Sequence, residues 1–257
     1  MIVLKTADEI RVMKEGGEIA ARVLQKILQE ASAGKSLLEL DELADELILK
    51  SGASPSFKME KNYLFATCMN LNDAVVHGIP TEEKLKDGDI LNVDLGVYYK
   101  GFHTDTSWTI EVGDEKWENG TRGETGRFLD TGQKALIEAI KQCQPGKHIG
   151  DISKAIQEMV EGAGYSCVRQ LVGHGIGREL HEDPEIPCFV RGKTANTPLI
   201  KEGMTLAIEV IYNMGEPEVV YKSSKDAWTI VTRDELPSAV FEHTVAVTKD
   251  RPEILTI

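Results

Sequence analysis

DILNVDLGVYYKGFHTDTSWTI, residues 89–110, alternates apolar and polar side chains in its first half, with Leu91, Val93, Leu95 and Val97 on one side and Asn92, Asp94 and Gly96 on the other. That is the period of a half-buried strand. Lys100-Gly101 supplies a tight turn, and Phe102 to Ile110, rich in Thr, Phe and Trp, reads as the returning strand of a hairpin. With a two-residue loop, Tyr99 pairs with Phe102 and Asp94 with Ser107, so Asp105 is a diagonal neighbour of Asp94 on the face away from the apolar residues. Diagonal neighbours lie about 7–8 Å apart at the backbone, and carboxylates converging from that distance can share a divalent ion or hold two ions about 3.5–4 Å apart. A loop one residue longer would put them on opposite faces. The same stretch also describes two surface aspartates on an edge hairpin, so the rest of the chain has to decide.

At 257 residues the chain is long enough to bury a substantial core, as one large domain or two smaller ones. A net charge of -13 argues against nucleic-acid binding, which needs clustered Lys and Arg to neutralise phosphates. The N-terminal residues MIVLKTADEI lack the apolar core of a signal peptide, and no run approaches the roughly 20 apolar residues of a membrane span, so a cytoplasmic protein is expected. Cys68, Cys143, Cys167 and Cys188 are scattered without a C-x-x-C pair, which suggests buried, reduced thiols and neither a disulfide framework nor a cysteine zinc site.

Thr6-Ala7-Asp8-Glu9 and Ser36-Leu37-Leu38-Glu39 are capping boxes, each opening a helix, the first long and amphipathic, the second stopping near Gly52. Residues 53–71 read as irregular, and a strand-rich portion with His77, Asp94 and Asp105 follows. After a polar loop, residues 113–127, the plan recurs: Phe128 to Gln144 reads as a helix, Pro145-Gly146-Lys147 breaks it, and Ile149 to Val160 reads as another. Ala33-Gly34-Lys35 matches Pro145-Gly146-Lys147, and Lys86-Asp87-Gly88 matches Lys201-Glu202-Gly203 at nearly the same spacing, which aligns Asp94 with Glu209. This suggests a duplication, with pseudo-repeat halves near 5–115 and 126–257 in a single catalytic domain, 1–257. Two such halves would pack their sheets together with helices outside and a cleft between equivalent strands.

Glu209 in MTLAIEVIY and Glu242 in SAVFEHTVAVT also sit inside apolar, β-rich runs. An acid in a buried strand is costly unless it is paired or coordinated. Finding this at Asp94, Asp105, Glu209 and Glu242, with His174 in a Gly-rich turn, favours a metal site. Four carboxylates balance two divalent cations, and one imidazole among oxygens suits Mn, Fe, Co or Zn without choosing among them.

The segments NDAVVHGIP (72–80), NVDLGVYYKGFHTDTS (92–107), GHGIGRELHEDP (173–184), GMTLAIEV (203–210) and SAVFEHTVAVT (238–248) resemble the signature blocks of methionine aminopeptidases, in order and across essentially the whole chain. The resemblance implies the α+β pita-bread fold, two pseudo-symmetric helix-helix-sheet halves around a central antiparallel sheet. It implies a dinuclear metal site with Asp94, Asp105, His174, Glu209 and Glu242 as ligands, Asp105 and Glu242 bridging. It further implies Glu209 as general base, His181 stabilising the tetrahedral intermediate, His77 beside the substrate, and Cys68, Tyr63 and Trp228 lining a methionine pocket, which suits a thioether. The implied activity is removal of the initiator methionine from nascent chains, favouring small second residues, with contact at the ribosome a possibility and a monomer expected. His103, His148 and His243 lack such a context; His243 neighbours Glu242 but points to the other face.

Val240 and Leu180 depart from the commoner bacterial pattern, in which a glutamine and an aromatic residue stand there. The interval from His174 to Glu209 leaves no room for the helical insertion of the second type, so a short type 1 enzyme is expected. Gly34-Lys35-Ser36 resembles the end of a phosphate-binding loop but lacks the upstream glycine and a leading strand. A Xaa-Pro aminopeptidase or dipeptidase of the same fold and a non-catalytic binding module of that fold are the competing readings.

Overall fold

In the computed structural model, which describes residues 1–113, 123–224 and 226–257, both capping boxes form. The Glu9 carboxylate accepts from the Thr6 amide at 2.8 Å and Glu39 from the Ser36 amide at 2.8 Å. They open α1 (Ala7–Glu30) and α2 (Leu37–Lys50). The chain continues through β1 (Ser54–Pro55), β2 (Thr67–Leu71) and β3 (Ala74–Val76) to the hairpin β4 (Ile90–Tyr99) and β5 (Phe102–Glu111). Then come α3 (Glu124–Gln142), α4 (Ile149–Gly162), β6 (Ser166–Cys167), β7 (Val172–Gly175), β8 (Glu182–Pro187) and β9 (Thr205–Asn213). The last strands are β10 (Val219–Tyr221), β11 (Ile230–Thr232), β12 (Ser238–Val247) and β13 (Pro252–Ile254).

The β4–β5 register is the one the two-residue loop requires: Tyr99 opposes Phe102 and Asp94 opposes Ser107, with Lys100 and Gly101 both at positive φ. Two expectations need correction. Residues 67–71 are not irregular; they form β2 against β4, and because Thr67, Cys68, Met69 and Asn70 are all buried, no alternation betrays the strand. The polar loop also ends sooner than expected, since Glu124 to Arg127 already belong to α3; residues 114–122 of that loop lie outside the described residues.

Among the described residues the main sheet has ten strands in the order β1, β4, β5, β12, β9, β7, β8, with β2 added to β4, β6 to β9 and β13 to β12. It mirrors itself about the β5–β12 seam. On one side α1 lies across β4 and β5 with α2 beside it; on the other α3 lies across β9 and β12 with α4 beside it. Each helix pair closes its own core. Leu91, Val93, Leu95 and Val97 are fully buried under α1 and α2, and Leu206, Ile208 and Val210 under α3 and α4. Burial of such a side chain contributes about 1.5–3 kcal/mol. Trp108 packs against both cores.

Threonines stitch the seam. Thr106 Oγ1 donates to the Glu242 carbonyl at 3.0 Å, Thr109 Oγ1 to Val240 at 2.7 Å, and Thr244 Oγ1 to Asp105 at 2.8 Å. These hydroxyls supplement a short backbone ladder between β5 and β12, and they explain why a buried strand is rich in Thr. The sheet face opposite the helices is left to build a cavity.

Candidate active site

Strand register alone assembles most of the site. Asp94 on β4 opposes Ser107 on β5, Ser107 opposes Glu242 on β12, and Glu242 opposes Glu209 on β9. Cross-strand partners share a face, so these residues form one row over four adjacent strands. Asp105, two positions from Ser107, and His174, paired with Ala207 two positions from Glu209, flank the row on the same face. All five expected metal ligands line one cavity of about 180 Å³. That is smaller than the roughly 300–1,000 Å³ of typical ligand clefts, and it suits one side chain next to the bond that reacts.

The electrostatics of the row are unfavourable without a cation. Glu209 and Glu242 face each other directly, and like charges so placed destabilise a sheet. Burial pushes the carboxyls of Asp94, Glu209 and Glu242 well above the usual range, with neighbouring acids pushing them further. The Asp105 carboxyl is raised to about 7 by burial, although the Thr106 amide donates to it at 3.0 Å. Asp94 Oδ1 and Glu242 Oε1 are buried with no hydrogen-bond partner among the described residues. Buried oxygens of this kind are ordinarily satisfied, so both fit the role of ligand to a divalent cation.

His174 is prepared in the same sense. Its Nδ1 lies 2.8 Å from the Gly175 carbonyl, which can only accept, so Nδ1 carries the proton and Nε2 presents its lone pair. Burial holds this imidazole neutral, at about 4. Nε2 is 3.7 Å from Glu209 Oε1, and one ligand atom from each of Asp105, His174 and Glu242 lies within 4.8 Å of the other two. Four carboxylates and one neutral imidazole form a donor set that fits divalent metal ions.

The other expected residues surround this row. Cys68 on β2 opposes Asp94, so the strand missed in the sequence places the thiol at the edge of the site. The Tyr63 hydroxyl donates to the Thr67 carbonyl at 2.8 Å and lies 3.3 Å from Cys68 Sγ; the Trp228 ring stands edge-on to Tyr63 at 5.1 Å. His181 packs against His174 with ring centroids 4.5 Å apart, and His77 lies 6.3 Å from Trp228. Both histidines keep surface open to the cavity but are hemmed in by protein. Loss of solvent holds their pKa values below the ordinary range, and for His77 the charge of His181 adds to this. His77 sits at φ 57°, a left-handed conformation uncommon for residues other than glycine.

Phe57, Glu60, Val76 and Leu180 also line the cavity. Leu180 stands out in the sequence only as a departure from the family pattern, Val76 falls within the 72–80 block without a role of its own, and Phe57 and Glu60 carry no signal because they lie at a short helical turn without a motif. His243 faces away from the row, with Nδ1 2.9 Å from Thr256 Oγ1. Gly34 and Ser36 form a turn and a helix cap.

Among the described residues no helix is long and apolar enough to cross a membrane. The sequence matches metallopeptidase family M24 over residues 11–249. It is 40% identical over 256 residues to methionine aminopeptidase 1 of Bacillus subtilis (strain 168), covering 100% of this chain and 99% of that one. The structure is similar to that of the methionine aminopeptidase from Thermotoga maritima, with a TM-score of 0.93, 40% identity and coverage of 100% and 99%. Prolidase from Pyrococcus furiosus shares the fold alone, at a TM-score of 0.78 and 23% identity, with 99% of this chain covered and 65% of that one. With full-length relatives at this identity and a buried acidic row of matching chemistry, the chain belongs to metallopeptidase family M24, among its methionine aminopeptidases.

Proposed function

We propose that the protein is a metal-dependent aminopeptidase that removes the initiator methionine from nascent chains and favours small second residues. The observation that carries this reading is the row Asp94, Ser107, Glu242, Glu209, in which buried acids from both sides of the seam face one another. Asp94, Asp105, His174, Glu209 and Glu242 would hold two divalent ions, drawn from Mn, Fe, Co or Zn. When bound, such ions lower the pKa of water and polarise the scissile carbonyl.

The chain's own residues do the rest. Glu209 accepts the proton of the attacking water at a carboxylate oxygen, acting as general base. His181 donates a hydrogen bond to the oxygen on which charge develops as the carbonyl becomes tetrahedral. His77 orients the substrate beside the scissile bond. Tyr63, Cys68 and Trp228 enclose the methionine side chain, whose polarisable sulfur suits aromatic rings and a thiol. Residues 1–257 act as a single catalytic unit with halves near 5–115 and 126–257. It works as a monomer in the cytosol on chains at the ribosome, without recognising nucleic acid.

Incubation with Met-Ala-Ser and with Xaa-Pro dipeptides tests the substrate. Release of methionine from the tripeptide, with the dipeptides intact, is expected; turnover confined to Xaa-Pro substrates would contradict the assignment.

A further inference from the structure

We infer that Asn70 and Asn92 are positioning residues that form a buried amide relay setting where His77 stands relative to the acidic row; this rests on the reading of His77 as the residue that orients substrate. The two asparagines oppose each other in the β2–β4 register and are almost fully buried. The Gly78 amide donates to Asn70 Oδ1 at 2.7 Å, and Asn70 Nδ2 donates to Asn92 Oδ1 at 2.7 Å. Asn92 Nδ2 then donates its two hydrogens to Ser107 Oγ at 2.7 Å and to the Val240 carbonyl at 3.0 Å, with Thr109 Oγ1 3.2 Å away.

The relay has one possible polarity. At one end the Gly78 amide can only donate, so the Asn70 oxygen must face it; at the other end the Val240 carbonyl can only accept, so the Asn92 nitrogen must face that. Each amide orientation is thereby fixed by a backbone group. The chain runs from the peptide after His77, across β4, to β5 and β12, and Asn92 and Val240 lie two positions from Asp94 and Glu242.

The position it governs is one that needs holding. His77 adopts φ 57°, and Gly78 fits so closely that an added Cβ would lie 2.2 Å from the Met69 carbonyl oxygen. Backbone and hydroxyl contacts also tether this turn, the Gly78 carbonyl accepting from the Met69 amide at 2.9 Å and the His77 carbonyl lying 3.4 Å from Thr229 Oγ1. Asn70 provides the side-chain link from this turn toward the strands that carry the acids.

A double-mutant cycle on the manganese-loaded enzyme tests this. With Met-Ala-Ser as substrate, Asn70→Ala should lower kcat/KM by about tenfold to a hundredfold, the scale set by a misplacement of about 1 Å. In a His77→Ala background the same substitution should cost no further activity, and manganese affinity should not change in either. Asn70→Leu, which fills the volume without the amide, serves the same cycle if the alanine variant does not fold. Losses that multiply, or an Asn70 variant with full activity, would overturn the relay. A His77→Ala enzyme with full activity would remove the reading of His77, and the relay's purpose with it.

Discussion

Glu209 and Glu242 meet across β9 and β12 on the buried face of a sheet, and at the scale of single residues this opposition is what a cation must relieve. Glu209→Gln and Asp105→Asn preserve shape, so both variants should fold. Loss of a general base lowers kcat by about 10²–10⁴, and a drop in that range is expected for Glu209→Gln in steady-state assays. Asp105→Asn should lose turnover as well; unchanged turnover in either would refute the role. Trp228→Ala removes an apolar wall from the proposed methionine pocket, and its expected effect is a fall in kcat/KM for methionyl peptides of at least the roughly 10- to 200-fold that one lost methylene contact costs. The alternation in residues 91–97 and the turn at Lys100-Gly101 made the Asp94 and Asp105 pair legible before any coordinates. The placement of Cys68 opposite Asp94 was not legible from physical pattern, because both faces of β2 are buried and a strand without a wet face has no period to read.

At the scale of elements, the two helix pairs seat themselves through small residues. A Cβ on Gly17 of α1 would lie 2.2 Å from the Leu255 carbonyl oxygen, and one on Gly132 of α3 would lie 2.4 Å from Phe241 and 2.6 Å from Tyr212. These glycines are separated by the same interval as Gly88 and Gly203, the pair that aligns Asp94 with Glu209. Gly17→Ala and Gly132→Ala should each destabilise by about 1–3 kcal/mol, the cost of overpacking. Thermal melts should fall by about 2–4 °C per kcal/mol in a chain of this size, whereas Gly146→Ala, where nothing lies within 4 Å, should shift the melt only through its positive φ. The capping boxes revealed the starts of α1 and α2 because a reciprocal side-chain and backbone bond needs a fixed four-residue spacing. The start of α3 escaped notice since Gly123 caps it without any side-chain bond.

At the scale of the whole molecule, the acids that serve the site burden the metal-free fold. The Asp105 carboxyl is raised to about 7 and those of Asp94, Glu209 and Glu242 are raised well above their usual range. The folded state therefore holds protons that the unfolded chain gives up near pH 4. For chelator-stripped protein this contribution to stability is fully present below about pH 4; the Asp105 part is lost as the pH rises through 7, and the parts of Asp94, Glu209 and Glu242 are lost as it rises through their own raised values. Manganese at about 100 times its Kd should restore about 2.7 kcal/mol near neutral pH, seen as a higher Tm; a Tm indifferent to metal would contradict this. The mirrored order of the sheet about the β5–β12 seam could be anticipated from the recurrence of helix, helix and strands, but the threonine stitching of that seam could not, because it depends on a pairing between distant strands. The most direct test of a metal centre built by acids from both sides of the seam is methionine release from Met-Ala-Ser by stripped protein as manganese or cobalt is titrated back. The account predicts no release without metal and activity that rises and saturates with it, whereas full activity in the presence of chelator would contradict it.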